Sequence, residues 1–100
     1  MYSETDAGGQ APLPKFPFGN LNITPNALEQ LSPEEVFPSL FRHSQGDWGD
    51  LDAEDRHANE RALQQGGRLV SVYQTLSGVR FYIITECDRS FTTVLLPEDY

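Results

Sequence analysis

The stretch Arg68–Leu96, RLVSVYQTLSGVRFYIITECDRSFTTVLL, decides the fold. β-Branched, aromatic and aliphatic residues crowd it, Val70, Val72, Tyr73, Val79, Phe81, Tyr82, Ile83, Ile84, Val94 and Leu95 among them, and two polar turns divide it. That is the pattern of three consecutive antiparallel strands. Ser77-Gly78 reads as a two-residue hairpin turn, since glycine enters the positive-φ region without a Cβ clash. Such a loop predicts Leu76 opposite Val79, Gln74 opposite Phe81 and Val72 opposite Ile83. The second turn lies in Cys87-Asp88-Arg89-Ser90. A loop of two or of four residues there predicts the same pairs: Glu86 with Phe91, Ile84 with Thr93 and Ile83 with Val94.

Alternation then sorts the side chains onto two faces. One collects Val70, Val72, Leu76, Val79, Phe81, Ile83, Val94 and Leu96 and is the expected core. The other holds Leu69, Tyr73, Tyr82, Ile84, Phe91 and Leu95 with Ser71, Thr75, Arg80 and Glu86, and is too apolar to stand bare in water. On this register Phe81→Ala or Ile83→Ala costs about 2 to 5 kcal/mol, and changes at Ser71 or Thr75 cost under about 1 kcal/mol.

Upstream, the composition changes. Residues 1–20 carry three glycines and three prolines and read as a flexible tail, with Phe16 and Phe18 as aromatic candidates for docking on the second sheet face. Residues 21–100 form the expected single α+β domain, two or three short helices followed by the β-meander, one layer of helices on one sheet. Thr24-Pro25 looks like an N-cap with proline at the first helical position, and Ser32-Pro33-Glu34-Glu35 adds a capping box. Pro38 is expected to kink or end the second helix early, while Val36, Phe37, Leu40 and Phe41 supply apolar contacts at helical spacing. Asp52 is a third N-cap, with Glu54 and Asp55 at the positive end of the helix, and Gly66-Gly67 closes that helix.

Net charge is −8, with seven Lys and Arg in 100 residues, which argues against generic binding to DNA or RNA. A protein with a basic surface is the better partner. The excess is local: residues 29–60 hold nine carboxylates against Arg42 and Arg56, or seven of the eight excess negative charges. One cysteine, Cys87, leaves no internal disulfide and no multi-cysteine metal site, and no apolar run approaches the roughly 20 residues of a membrane span. The first residues lack the regions of a secretory signal, so the expected compartment is the cytoplasm. No cofactor is expected.

The least generic piece is Arg42-His43-Ser44-Gln45-Gly46-Asp47-Trp48-Gly49-Asp50, in which two glycines frame an aspartate and the only tryptophan. Two readings stay open. In one, Trp48 plugs the core and the aspartates bond loop N–H groups. In the other, Asp47, Trp48, Asp50, Asp52 and Asp55 form a recognition surface, charge steering a basic partner and Trp48 anchoring it. A catalytic constellation is also available from His43 or His57 with Glu86, Asp88, Arg89 and Thr92, by analogy with small ribonucleases or toxins. Its core would be His43, Glu86 and Arg89. The two histidines match no metal-ligand spacing.

In RHSQGDWGDLDAEDRHANE and the later ITECDRSFTTVLLPEDY, the chain resembles a family of small bacterial proteins of plasmids and integrative elements, called plasmid-related protein or type I restriction endonuclease subunit M. The likeness covers about residues 24–100 and rests on the Arg42–Asp50 loop, the Asp55-Arg56 pair and the Asp88-Arg89 turn. The resemblance carries over no activity; the expectation is a non-enzymatic interaction protein of a mobile element that modulates host defence or element maintenance, and it rests on small size, acidic charge and the absence of a credible catalytic constellation. The likeness brings no methyltransferase chemistry, because the chain has neither a glycine-rich loop for a methyl donor nor an Asn-Pro-Pro-aromatic motif. Its longer N-terminal segment and Cys87, where the family pattern has a small alanine, set this chain apart.

Overall fold

The computed structural model describes residues 12–100, so the tail expected over 1–20 lies partly outside the described residues. Strand β1 (Asn20–Ile23) leads into helices α1 (Pro25–Gln30), α2 (Pro33–Ser44) and α3 (Ala53–Gln65). Strands β2 (Leu69–Gln74), β3 (Arg80–Thr85) and β4 (Phe91–Leu95) and a single turn of 3₁₀ helix (Pro97–Asp99) complete the chain. The class is α+β, as expected. The sheet is not a three-stranded antiparallel meander, however: four strands lie in the order β1-β4-β3-β2, and β1 joins β4 in parallel. The β1 segment, Asn-Leu-Asn-Ile, carries two residues depleted in strands, and its pairing partner is 71 residues away, so local pattern does not mark it.

The second hairpin has the expected register, Ile83 opposite Val94 and Ile84 opposite Thr93. The first is displaced by one residue, with Tyr73 opposite Phe81, Val72 opposite Tyr82 and Ser71 opposite Ile83. The cause is loop length. Thr75 N–H donates to Val79 O at 2.9 Å, and its hydroxyl accepts from Val79 N–H at 3.0 Å, so the loop is Leu76-Ser77-Gly78, with Gly78 at φ 92° as its left-handed residue. A one-residue slip exchanges the faces of β2. Leu69, Ser71 and Tyr73 therefore join Phe81, Ile83, Val94 and Leu96 beneath the helices, whereas Val70 and Val72 turn to the far side and Leu76 is fully exposed.

The main core packs Ala27 of α1, Leu31 and the Val36 and Leu40 stripe of α2 on Tyr73, Phe81, Ile83, Val94 and Leu96. Phe37 and Phe41, expected inside, point outward. Pro38 neither ends nor shortens α2, which runs on to Ser44. The acceptor it leaves without a helical partner is in the first turn at Glu34, and both residues are exposed, so that carbonyl is not buried unsatisfied. Thr24 caps α1 by accepting from Ala27 N–H at 3.2 Å, and its hydroxyl donates to Asp99 at 2.6 Å, tying the C-terminal turn to the helix start. The Glu35 carboxylate accepts from Ser32 N–H at 3.0 Å. Asp52 caps α3 through Asp55 N–H at 2.8 Å, and Gly66 ends it at φ 86°.

A smaller cluster of Phe16, Trp48 and Leu69 continues the core beneath α3's Ala62 and Leu63. Phe16 docks on the helix-covered face, against Leu69, rather than on the far face.

Candidate functional site

His43, near the C-terminal end of α2, is wholly buried and flanked edge-on by Phe16 at 5.2 Å and Trp48 at 5.6 Å. Its bonding fixes the tautomer of the neutral ring. The Thr92 hydroxyl donates to Phe18 O at 2.9 Å, which uses its one proton, so the Thr85 hydroxyl donates to Thr92 at 2.8 Å. Thr85 then accepts at 3.0 Å from His43 Nε2, which carries the hydrogen, and His43 Nδ1 accepts from the Ser71 hydroxyl. Burial, with the nearby Arg89 charge, lowers the imidazole to about 3. His43 is thus a neutral member of a continuous chain running from β2 to Phe18, and Ser71, expected on a tolerant surface, is the completely buried donor at one end of it.

The other members of the ribonuclease-like core, Arg89 and Glu86, have structural partners. Arg89, at φ 60°, donates to Gly67 O at 2.6 Å, Ala62 O at 3.1 Å and Glu86 O at 3.1 Å, closing the C-terminal end of α3 onto the second turn. Its guanidinium lies 5.8 Å from the Phe16 ring, which also packs on His43. Glu86 is half-buried and stands 3.7 Å from Arg68. Arg89 reaches Glu86 at its backbone carbonyl and shares Phe16 with His43, whose ring nitrogens meet the Ser71 and Thr85 hydroxyls instead. His57 is exposed on α3, away from His43's bonded partners. Among the described residues no group of three or more His, Cys, Asp or Glu is placed to hold a metal ion.

The polar loop divides between inside and outside. Trp48 is only 4% exposed and its indole N–H donates to Glu60 at 2.8 Å, so of the two readings of Trp48, core plug and surface anchor, the structure takes the core plug. Gly49, at φ +76°, lets the loop lie against β2: a Cβ there would meet Val72 O at 1.9 Å. Val72 N–H donates to Trp48 O at 3.1 Å and accepts Asp50 N–H on its carbonyl at 2.8 Å, while Asn59 of α3 bonds both the N–H and the C=O of Val70. Loop and helix thus cover this edge of the sheet.

The carboxylates remain outside. Asp47 pairs with Arg42 at 2.8 Å, and that bond holds its carboxyl below the usual range. Arg42 in turn lies 4.7 Å over the Tyr73 ring. Asp50, Asp52 and Asp55 are exposed, Asp52 turned in part to its cap. They surround the N-terminal end of α3, whose only fully buried residue is Asn59.

One surface was not visible in the sequence. Leu21, Ile23, Leu28, Phe37 and Phe41 are all exposed, and Ile23, Leu28 and Phe37 line a groove of about 80 Å³ with Leu31 and Val36 at its floor. The signal that could have marked it is the pair of i, i+4 spacings in α2, since a single-layer packing buries Val36 and Leu40 or Phe37 and Phe41 but not both stripes. No described helix is long and apolar enough to cross a membrane. Compared with protein-family models, curated proteins and solved structures, the chain matches none.

Proposed function

We propose that this chain is a non-enzymatic interaction protein of a mobile genetic element, acting by binding a host or element protein that presents a basic surface. The observation that carries it is the one-signed charge on a rigid scaffold: nine carboxylates against two arginines over residues 29–60, with Asp50, Asp52 and Asp55 exposed around the start of α3. Such a field raises association rates with cations and repels nucleic acid. The engagement of His43 and Arg89 with core hydroxyls and backbone carbonyls favours this reading over a ribonuclease or toxin-like enzyme. The resemblance to plasmid and integrative-element proteins suggests the setting, modulation of host defence or element maintenance.

The test is cross-linking in cells that carry the element, followed by association kinetics of the captured protein over a range of ionic strength. Neutralising Asp50, Asp52 and Asp55 together to Asn slows association and flattens its salt dependence. Turnover of RNA by the purified chain, abolished in His43→Ala, would overturn the proposal.

A further inference from the structure

The sheet has two edges, and they are treated differently. The β2 edge is covered by the Trp48–Asp50 loop and Asn59, whereas no described residue pairs with the outer side of β1. Asn20 N–H donates to Ser90 O and Thr24 N–H to Val94 O, so the even-numbered residues of β1 turn their backbone groups to β4. By alternation, Leu21 and Ile23 offer theirs to the open side. Beside them lies the groove between Ile23, Leu28 and Phe37, and Phe41 extends the same exposed stripe one helical turn further. An unpaired backbone edge next to an apolar slot has the two elements of strand addition, main-chain bonds for affinity and a pocket for alternate side chains.

Charge names the occupant. Residues 20–41 contain Glu29, Glu34 and Glu35 and no Lys or Arg. A second copy would bring the same carboxylates against them, and residues 1–11 hold Glu4 and Asp6 with no cation. The geometry points to the β1 edge and its groove as the docking site for an extended segment of a basic protein, aliphatic residues alternating with Lys or Arg. This deepens the function proposed above and rests on it: the acidic surface attracts the partner, and the β1 edge holds it.

The test is selection of a short-peptide phage library on the full chain, followed by amide-resolved NMR titration with the selected peptide. Enriched sequences that alternate aliphatic and basic residues, shift the Leu21 and Ile23 amides and slow their hydrogen exchange are the expected result. Leu28→Ser and Phe37→Ser, at exposed positions that leave the melting temperature in place, weaken that peptide by about tenfold or more. N-methylation of its alternate amides does the same. Failure to enrich any peptide, or leaving both amides unmoved, overturns the site. A basic peptide that instead shifts Asp50–Asp55 sinks the groove but keeps the basic-partner reading, while enrichment of acidic peptides sinks both. Protection of Leu21 and Ile23 in the peptide-free monomer would assign the edge to residues 1–11. Protection only in a concentration-dependent dimer would assign it to a second copy. Either overturns the proposal.

Discussion

A histidine that titrates near 3 in the fold and near 6.5 when unfolded makes stability depend on pH with a definite sign. The unfolded chain binds the proton first, so the contribution of neutral His43 is complete above about pH 6.5 and declines as pH falls toward 3. Between about pH 6.5 and 5 the loss is about 2 kcal/mol. Urea unfolding at the two pH values checks it, and His43→Gln removes that part of the slope. Thr85→Val keeps shape but deletes the hydroxyl between His43 and Thr92, leaving the Nε2 hydrogen without an acceptor in the core. A loss of about 1 to 3 kcal/mol is expected in the same measurement. In the sequence alone, chemistry at His43 stands only as an alternative reading, because a histidine beside glycines and aspartates looks the same whether its partners are substrates or hydroxyls of distant strands. Ser71 and Thr85 are 28 and 42 residues away.

Among the elements, those whose signals are local were legible and those set by distant pairing were not. The caps at Thr24 and Asp52, the Glu35 contact to Ser32 and the end of α3 at Gly66 follow from side chains within a few residues. The register of β3 on β4 survived because either length of the second loop gives the same pairs. The register of β2 on β3 did not, since Thr75 extends the ladder by its backbone and hydroxyl and moves the turn by one residue. Glycines at the loop and at the helix end separate two costs. Gly66→Ala meets nothing within 4 Å and carries only the left-handed strain, about 1 to 2 kcal/mol. Gly49→Ala adds a collision with the Val72 carbonyl and detaches the loop from β2, so thermal unfolding places it well below Gly66→Ala. Asp52→Ala costs about 1 kcal/mol through the lost cap, and Asp52→Asn restores most of it.

At the scale of the whole molecule, the chain separates polar residues that build the fold from carboxylates that face water. Asp50→Asn and Asp55→Asn are expected within about 0.5 kcal/mol of the parent in urea unfolding, although they remove charge from the proposed binding surface. Composition showed where the charge lay but not which loop residues carried it outward. Only the packing of Phe16, His43 and Leu69 around the indole assigns Trp48 to the interior. As the single tryptophan, Trp48 reports on that division directly. Acrylamide quenching of its fluorescence is to be compared between the native full chain and the chain in urea. A buried plug gives blue-shifted emission and weak native quenching that rises several-fold on unfolding. Native quenching as strong as that of the unfolded chain would place the indole on the surface and contradict the assignment.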